Sequence, residues 1–217
     1  QQNLPVTSVR DLAVQDADLV LATHGRGIFI MDDIGAFRTL AAPVAPSTSR
    51  LFKPEPAYRV RMPEFTGTPM PNDEPTAANP PLGAYLDYTL KTQPKRPIEL
   101  DIFDSNGGLV RHYSSADAGL PSDPAKLEVA PEWVEQPSRL SAKIGTHRFV
   151  WPLHYAAQVK SDKPGPWTDG VWAPPGEYRV VLDVDGVRHE QTLRVLPDPR
   201  VHLPDSAYAE QFALARQ

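Results

Sequence analysis

The chain contains no cysteine, which excludes disulfides, thiol nucleophiles and thiolate metal sites. That absence suits a bacterial exported protein and a cytosolic one alike, so it leaves the compartment open. Positive charge is also scarce, with 22 lysines and arginines against 27 aspartates and glutamates for a net charge of −5. The chain therefore lacks the basic field that draws nucleic acid or an anionic membrane surface, and neither is expected as a partner. No apolar run is long enough to cross a bilayer as a helix, and no signal peptide is recognisable. Neither a Gly-x-Ser-x-Gly elbow nor a phosphate-binding glycine loop occurs, so nothing supports a serine hydrolase of that type or a nucleotide enzyme. The six histidines, at 24, 112, 147, 154, 189 and 202, lack close metal-ligand spacing. Of these, His154 and His189 are the two that neighbouring strands would bring together, and no metal or cofactor is expected.

Proline, by contrast, is abundant. Its 25 residues alternate with β-patterned runs and form no single repeat, the pattern of an all-β, loop-rich protein of one large or two small domains. A chain beginning at Gln1 reads as a processed or excised piece. The most informative stretch is Asp18 to Gly35. Here Leu19, Val20, Leu21 and Ala22 form an unbroken apolar run, Gly25 and Gly27 allow a tight turn, and Ile28 to Met31 resume the run. A strand apolar on both faces needs cover on both faces, which stacked sister blades would supply. Strands are expected at Val6 to Val14, Leu19 to Thr23 and Ile28 to Met31, making residues 1–38 one blade of a β-propeller. Left uncovered, such a blade would be prone to edge pairing or dimerisation.

Residues 39–82 read as a proline-rich connector with short extended pieces at Leu51-Phe52 and Tyr58 to Arg61. From Gly83 the alternation becomes regular. Leu86, Tyr88 and Leu90 share one face, as do Ile98, Leu100 and Ile102, then Phe149, Trp151 and Leu153, then Tyr178, Val180, Leu182 and Val184. Asn106-Gly107 and Asp185-Gly186 mark hairpin turns. Residues 83–197 are therefore expected to form an immunoglobulin- or fibronectin-like β-sandwich. A short helical turn is expected around Glu132 to Val134. Residues 198–217 form a tail in which Asp205 would cap a starting helix.

Three segments carry a family resemblance: Ala22-Thr-His-Gly-Arg-Gly-Ile-Phe-Ile-Met-Asp-Asp, Asn79-Pro-Pro-Leu-Gly-Ala, and Gly145-Thr-His-Arg-Phe-Val-Trp-Pro-Leu-His-Tyr followed by Pro175-Gly-Glu-Tyr-Arg-Val. In this order they resemble the C-terminal region of large bacterial proteins built on BNR-type, sortilin-like propellers, which are often labelled glycosyl hydrolases. Asp33-Ile-Gly35 resembles the centre of an Asp-box. It departs from the pattern in having Met31 where a small hydroxyl residue belongs and Phe37 one place early. Asp104 to Gly108 and Pro175 to Tyr178 resemble the immunoglobulin-like domain of flagellar hook-capping proteins, a likeness of fold type. The propeller resemblance implies an extracytoplasmic location, periplasmic or secreted. It also implies a partner in the rest of a parent propeller or in another protein.

Candidate chemistry is sparse. Arg26 in the hairpin turn, with Asp32 and Asp33 after the next strand, would stand at a propeller rim and contribute to a glycosidase site completed by other blades. The alternative is a solvated turn, with Asp33 bonding its own backbone. Glycoside hydrolysis needs two carboxylates flanking the bond. Glu64, Asp73 and Glu74 join Asp32 and Asp33 as candidates, but they lie in the connector. Asp104-Ser-Asn-Gly looks like the start of a calcium loop, yet Ser115 stands where the distal glutamate belongs. Asp183 and Asp185 form a turn that would offer at most a weak surface cation site. Trp133, Trp167 and Trp172 fall in loop-like stretches, where they either fasten loops to a sandwich or stack on the sugar rings of a polysaccharide. The reading that follows is a non-catalytic structural segment bracing a propeller, with a carbohydrate-binding module as the alternative.

Overall fold

The computed structural model describes residues 4–40, 49–61, 79–117, 138–157 and 169–217. Trp133, Trp167, Glu64, Asp73, Glu74 and the helical turn expected at 132–134 lie outside the described residues. The protein is predominantly β and divides into two units, Gln1–Ser47 and Thr48–Gln217.

In the first unit, strands β1 (Val9–Gln15), β2 (Asp18–Thr23) and β3 (Ile28–Met31) form an antiparallel sheet in that order. Asp16 takes a positive φ of 52° in the two-residue turn joining β1 to β2. Gly25 and Gly27 take φ of 75° and 81° in the second hairpin, which the Thr23 hydroxyl closes by donating to the Gly27 carbonyl at 2.7 Å. The first strand starts later than the expected Val6, and a bulge interrupts its register between Val9 and Asp11. A short helix, α1 (Gly35–Leu40), follows where no helix was expected. It is entered through a turn in which Asp33, at φ 51°, accepts the Gly35 N–H at 2.9 Å.

The register fixes the two faces of this sheet. Leu12, Leu21 and Phe29 lie in one row with Val14, Leu19 and Met31 beside it, while Ala13, Val20, Ile30, Ala22 and Ile28 occupy the other face. Both faces are apolar, and both are open. Leu12 is 57% exposed on one, and Ile28 is 70% exposed on the other.

The second unit holds strands β4 (Ser49–Leu51), β5 (Ala57–Arg59), β6 (Ala84–Leu90), β7 (Glu99–Phe103), β8 (Leu109–Ser114), β9 (Gly145–Trp151), β10 (His154–Ala156), β11 (Asp169–Trp172), β12 (Gly176–Val184) and β13 (Val187–Pro197), and helix α2 (Asp205–Ala215). Five strands run in the order β5-β13-β12-β7-β8, three in the order β4-β6-β9, and β10 pairs with β11. Neighbours are antiparallel except β5, which lies parallel to β13. One core takes alternate residues from both larger sheets: Leu86, Tyr88 and Leu90 from β6, Leu100 and Ile102 from β7, Phe149 and Trp151 from β9, and Tyr178, Val180 and Leu182 from β12.

Two expectations are corrected here. The unit begins at Thr48 and not at Gly83, because β4 and β5, inside the expected connector, pair with β6 and β13 and bury Leu51, Phe52 and Ala57. Three-residue strands between prolines are too short for their alternation to stand out. Asp205 is also not the cap of α2 but its first residue. Extended Pro204 holds the cap position without a side-chain bond, leaving Asp205 to act on the positive end of the helix through its charge.

One close approach lies at the Ala84–Trp151 end of the β6–β9 ladder. Gly83 has φ +140°, and a Cβ there would stand 2.2 Å from the Trp151 carbonyl oxygen, so only glycine fits.

Candidate functional site

Arg26 lies in the exposed Gly25–Gly27 turn, as its sequence position suggested. Asp33 is engaged locally, its carboxylate receiving the Gly35 N–H while its own N–H goes to the Asp18 carboxylate at 2.9 Å. These bonds tie the turn after β3 to the start of β2. Asp32 is half-buried in the same segment.

Trp172, on β11, packs against the core of the second unit. The His154 ring lies 4.0 Å from it and the Arg59 guanidinium 5.6 Å above it, so its faces carry protein contacts. Trp151 is fully buried and donates its indole N–H to the His154 carbonyl at 3.0 Å. His154 and His189 do not converge. The Nδ1 of His154 meets the Pro152 carbonyl at 2.7 Å, whereas His189 meets the Ser49 hydroxyl at 2.8 Å. Burial lowers the pKa of both imidazoles from the usual value.

The Ser49–His189 pair has the spacing of an activated serine, and no motif announces it. Its surroundings argue for a structural bond. Ser49 is only 2% exposed, so its hydroxyl links β4 to β13 inside the fold and offers a substrate no approach.

The two turn motifs resolve as backbone braces. Asp104 accepts the N–H groups of Asn106 and Gly108, both at 2.9 Å, closing the hairpin between β7 and β8. Asp185 accepts the N–H groups of Lys95 and Arg96, and Asp183 that of Gly186. Asp183 and Asp185 thus form the expected turn, with their carboxylates accepting amide donors. Among the described residues, no group of three or more histidines and carboxylates is placed to hold a metal ion.

Among the described residues, one cleft of about 280 Å³ lies where α2 meets the strand ends. Its walls come from three places: the Asp104–Asn106 turn, the Pro174–Tyr178 entry to β12 with Tyr155 of β10, and the α2 residues Asp205, Tyr208 and Phe212. The helix contributes these three because spacings of three and four put them on one side. The Tyr155 and Phe212 rings meet at 4.9 Å, and Arg59 fastens the helix by donating to Gln211 at 2.8 Å.

Two phenols line the cleft as neutral donors. Tyr178 gives its hydroxyl hydrogen to the Pro174 carbonyl at 2.6 Å, and burial drives its pKa strongly up. Tyr155 approaches the Asp104 carboxylate at 3.4 Å, and burial with that negative neighbour pushes it up to about 12. The hydroxyl of Tyr208 is buried without a hydrogen-bond partner among the described residues. Sequence reading missed this cleft because its residues are separated by a hundred positions and come together only when α2 docks.

Comparisons with family models, curated proteins and solved structures returned no match to this chain.

Proposed function

We propose that the chain is a non-catalytic structural and interaction segment of a larger exported, propeller-containing protein. Residues 4–40 act as a terminal blade, and the second unit acts as an immunoglobulin-like brace. The observation that carries this reading is the open, two-sided apolar sheet. Leu12 and Val14 on one face and Ile28 and Ile30 on the other are all more than half exposed. A sheet with polar and apolar sides needs cover on one face only, whereas this one needs a layer on each. Sister blades of a propeller supply two such layers, and the resemblance of Ala22 to Asp33 to a BNR-type blade points the same way. The local engagement of Asp33 in the turn after β3 favours a structural over a hydrolytic role for that residue.

Amide hydrogen exchange on the monomeric chain tests this. Amides of β1 to β3 should exchange orders of magnitude faster than those of β6, β7 and β12, because a sheet without its covering layers opens locally. Equal protection of the two sets in a monomer would overturn the blade reading. Protection of β1 to β3 that appears only as concentration rises would assign the cover to a second copy instead.

A further inference from the structure

Helix α2 is fastened to the second unit through a row of rings and one guanidinium. The His154 imidazole of β10 lies 4.0 Å from the Trp172 indole of β11, and the Arg59 guanidinium of β5 stands 5.6 Å from that indole and 5.4 Å from the Tyr208 ring of α2. Arg59 also donates to Gln211 of α2 at 2.8 Å. It is half-buried, and among the described residues no carboxylate forms an ion pair with it. Its charge therefore rests on two aromatic faces and an amide oxygen. The remaining grip on the helix is small. A helix of 11 residues is marginal on its own in water, yet Tyr208 is the side chain that α2 buries, Phe212 is half-buried, and the N-cap makes no side-chain bond.

His154 is the member of this row that gains a charge in mild acid. Its Nδ1–H donates to the Pro152 carbonyl at 2.7 Å, so the incoming proton goes to Nε2. The charged groups that act on the ring are Asp169 of β11, Arg111 of β8 and Arg59 of β5. Asp169 is the one carboxylate among them, and it already pairs with Arg111 at 3.1 Å. The charged side chains of α2 itself, Asp205, Glu210 and Arg216, are exposed. An imidazolium at position 154 is thus a third cation around one carboxylate, and it meets the same indole as Arg59. Burial lowers the pKa of His154, so the proton binds more readily once the row has parted, and acid favours the parted arrangement.

We propose that α2 is an acid-released latch: protonation of His154 sets a second cation against Trp172, drives Arg59 outward, and frees the helix from its seat on β11 and Tyr155 while the two larger sheets stay folded. The segment that opens is the one with the fewest buried side chains, which is where local opening is least costly. The proposal is independent of the blade reading, because every residue involved lies between 48 and 217.

The test is NMR on the full 217-residue chain between pH 7.5 and 5.5. Two signals report on the helix: the contact between the Tyr155 and Phe212 rings, whose centroids lie 4.9 Å apart, and the protection factors of the α2 amides, each taken against the intrinsic exchange rate at the same pH. Acidification should raise the open fraction of α2 severalfold, up to about tenfold for a freed imidazole of ordinary pKa near 6.5, with β6 and β12 unchanged. His154→Gln should make α2 protection independent of pH in this interval. Arg59→Gln should lower it at every pH and also remove the pH dependence. In the parent chain the ring contact should be lost at the midpoint of the His154 resonance and not at that of His189 or His202, a readout that stands even if a variant fails to fold. Unchanged α2 protection on acidification, the same pH dependence in His154→Gln, a midpoint that follows another histidine, or loss of β12 protection together with α2 would each overturn the proposal.

Discussion

Strands β3 and β12 are both rich in apolar residues, yet they meet opposite fates. On β12, Tyr178, Val180, Leu182 and Val184 are buried beneath a second sheet, whereas on β3 Ile28 and Ile30 are 70% and 61% exposed. The difference lies in the number of layers available and not in local propensity. The second unit has two larger sheets sharing one core, so each needs cover on one side only. The first unit has a single sheet whose register places apolar side chains on both sides. An apolar strand therefore reports how many layers the finished assembly has, and one unit supplies its own second layer while the other does not.

The contrast predicts unequal sensitivity to truncation. Trp151→Ala removes a fully buried ring and its bond to His154, and should cost the second unit about 3–5 kcal/mol. Leu12→Ala, at a position already open to water, should cost the chain less than about 0.5 kcal/mol. Urea midpoints followed by far-ultraviolet circular dichroism, to which the strands of both units contribute, measure both. Similar losses for the two variants would erase the distinction between the units.

A smaller effect is expected from the charge pair beside the core. Arg148 donates through two nitrogens to the carboxylate of Asp87, both at 2.8 Å, and Asp87 is only 8% exposed. Arg148→Ala leaves that carboxylate without its partner and should destabilise by about 2 kcal/mol, below the range for fully buried pairs because Arg148 remains partly in water. Adding Asp87→Asn should recover part of the loss, and a double-mutant cycle checks it.

The histidines sharpen the comparison through pH. Burial lowers the folded-state pKa of His154 and His189 below the ordinary value near 6.5, so the unfolded chain binds protons first as pH falls. Stability of the second unit should rise as pH increases through the interval from those lowered values to about 6.5, and fall on acidification across it. Thermal midpoints measured from pH 5 to 7.5 should show this slope, and His189→Gln should flatten it. A variant with an unchanged slope would remove His189 from the account.

The smallest effect on folding is expected where the exposed surface is greatest. Ile28→Lys with Ile30→Lys should change stability by less than about 0.5 kcal/mol in the isolated chain, yet reduce self-association in sedimentation runs at high concentration. A large loss of stability would show that these side chains are already covered in the monomer.

Much of the fold is legible in the alternation of residues. Leu86, Tyr88, Leu90, Leu100, Ile102, Phe149, Trp151, Tyr178, Val180 and Leu182 are buried as their period of two requires. The turns at Asn106-Gly107 and Asp185-Gly186 follow from the positive φ they demand, 80° at Gly107 and 55° and 88° at the second pair. The short strands β4 and β5 were not legible, since three residues between prolines carry too little periodicity to be seen. Helix α1 was hidden for a similar reason, as six residues after a turn show no apolar stripe.

The candidate cleft lay further still from the sequence. Asp104, Tyr155, Tyr178, Glu177 and Asp205 each have an ordinary local role as turn, strand or helix residue, and no spacing links them. What the sequence determined by itself was the set of strands, their inward faces and the turns between them, because sterics and hydrophobic alternation act over a few residues. Tertiary structure alone decided which apolar faces find a covering layer, that Ser49 meets His189, and that the Asp104 turn, the entry to β12 and α2 line one cleft. Those outcomes depend on contacts between residues 50 to 140 positions apart, which local pattern does not encode.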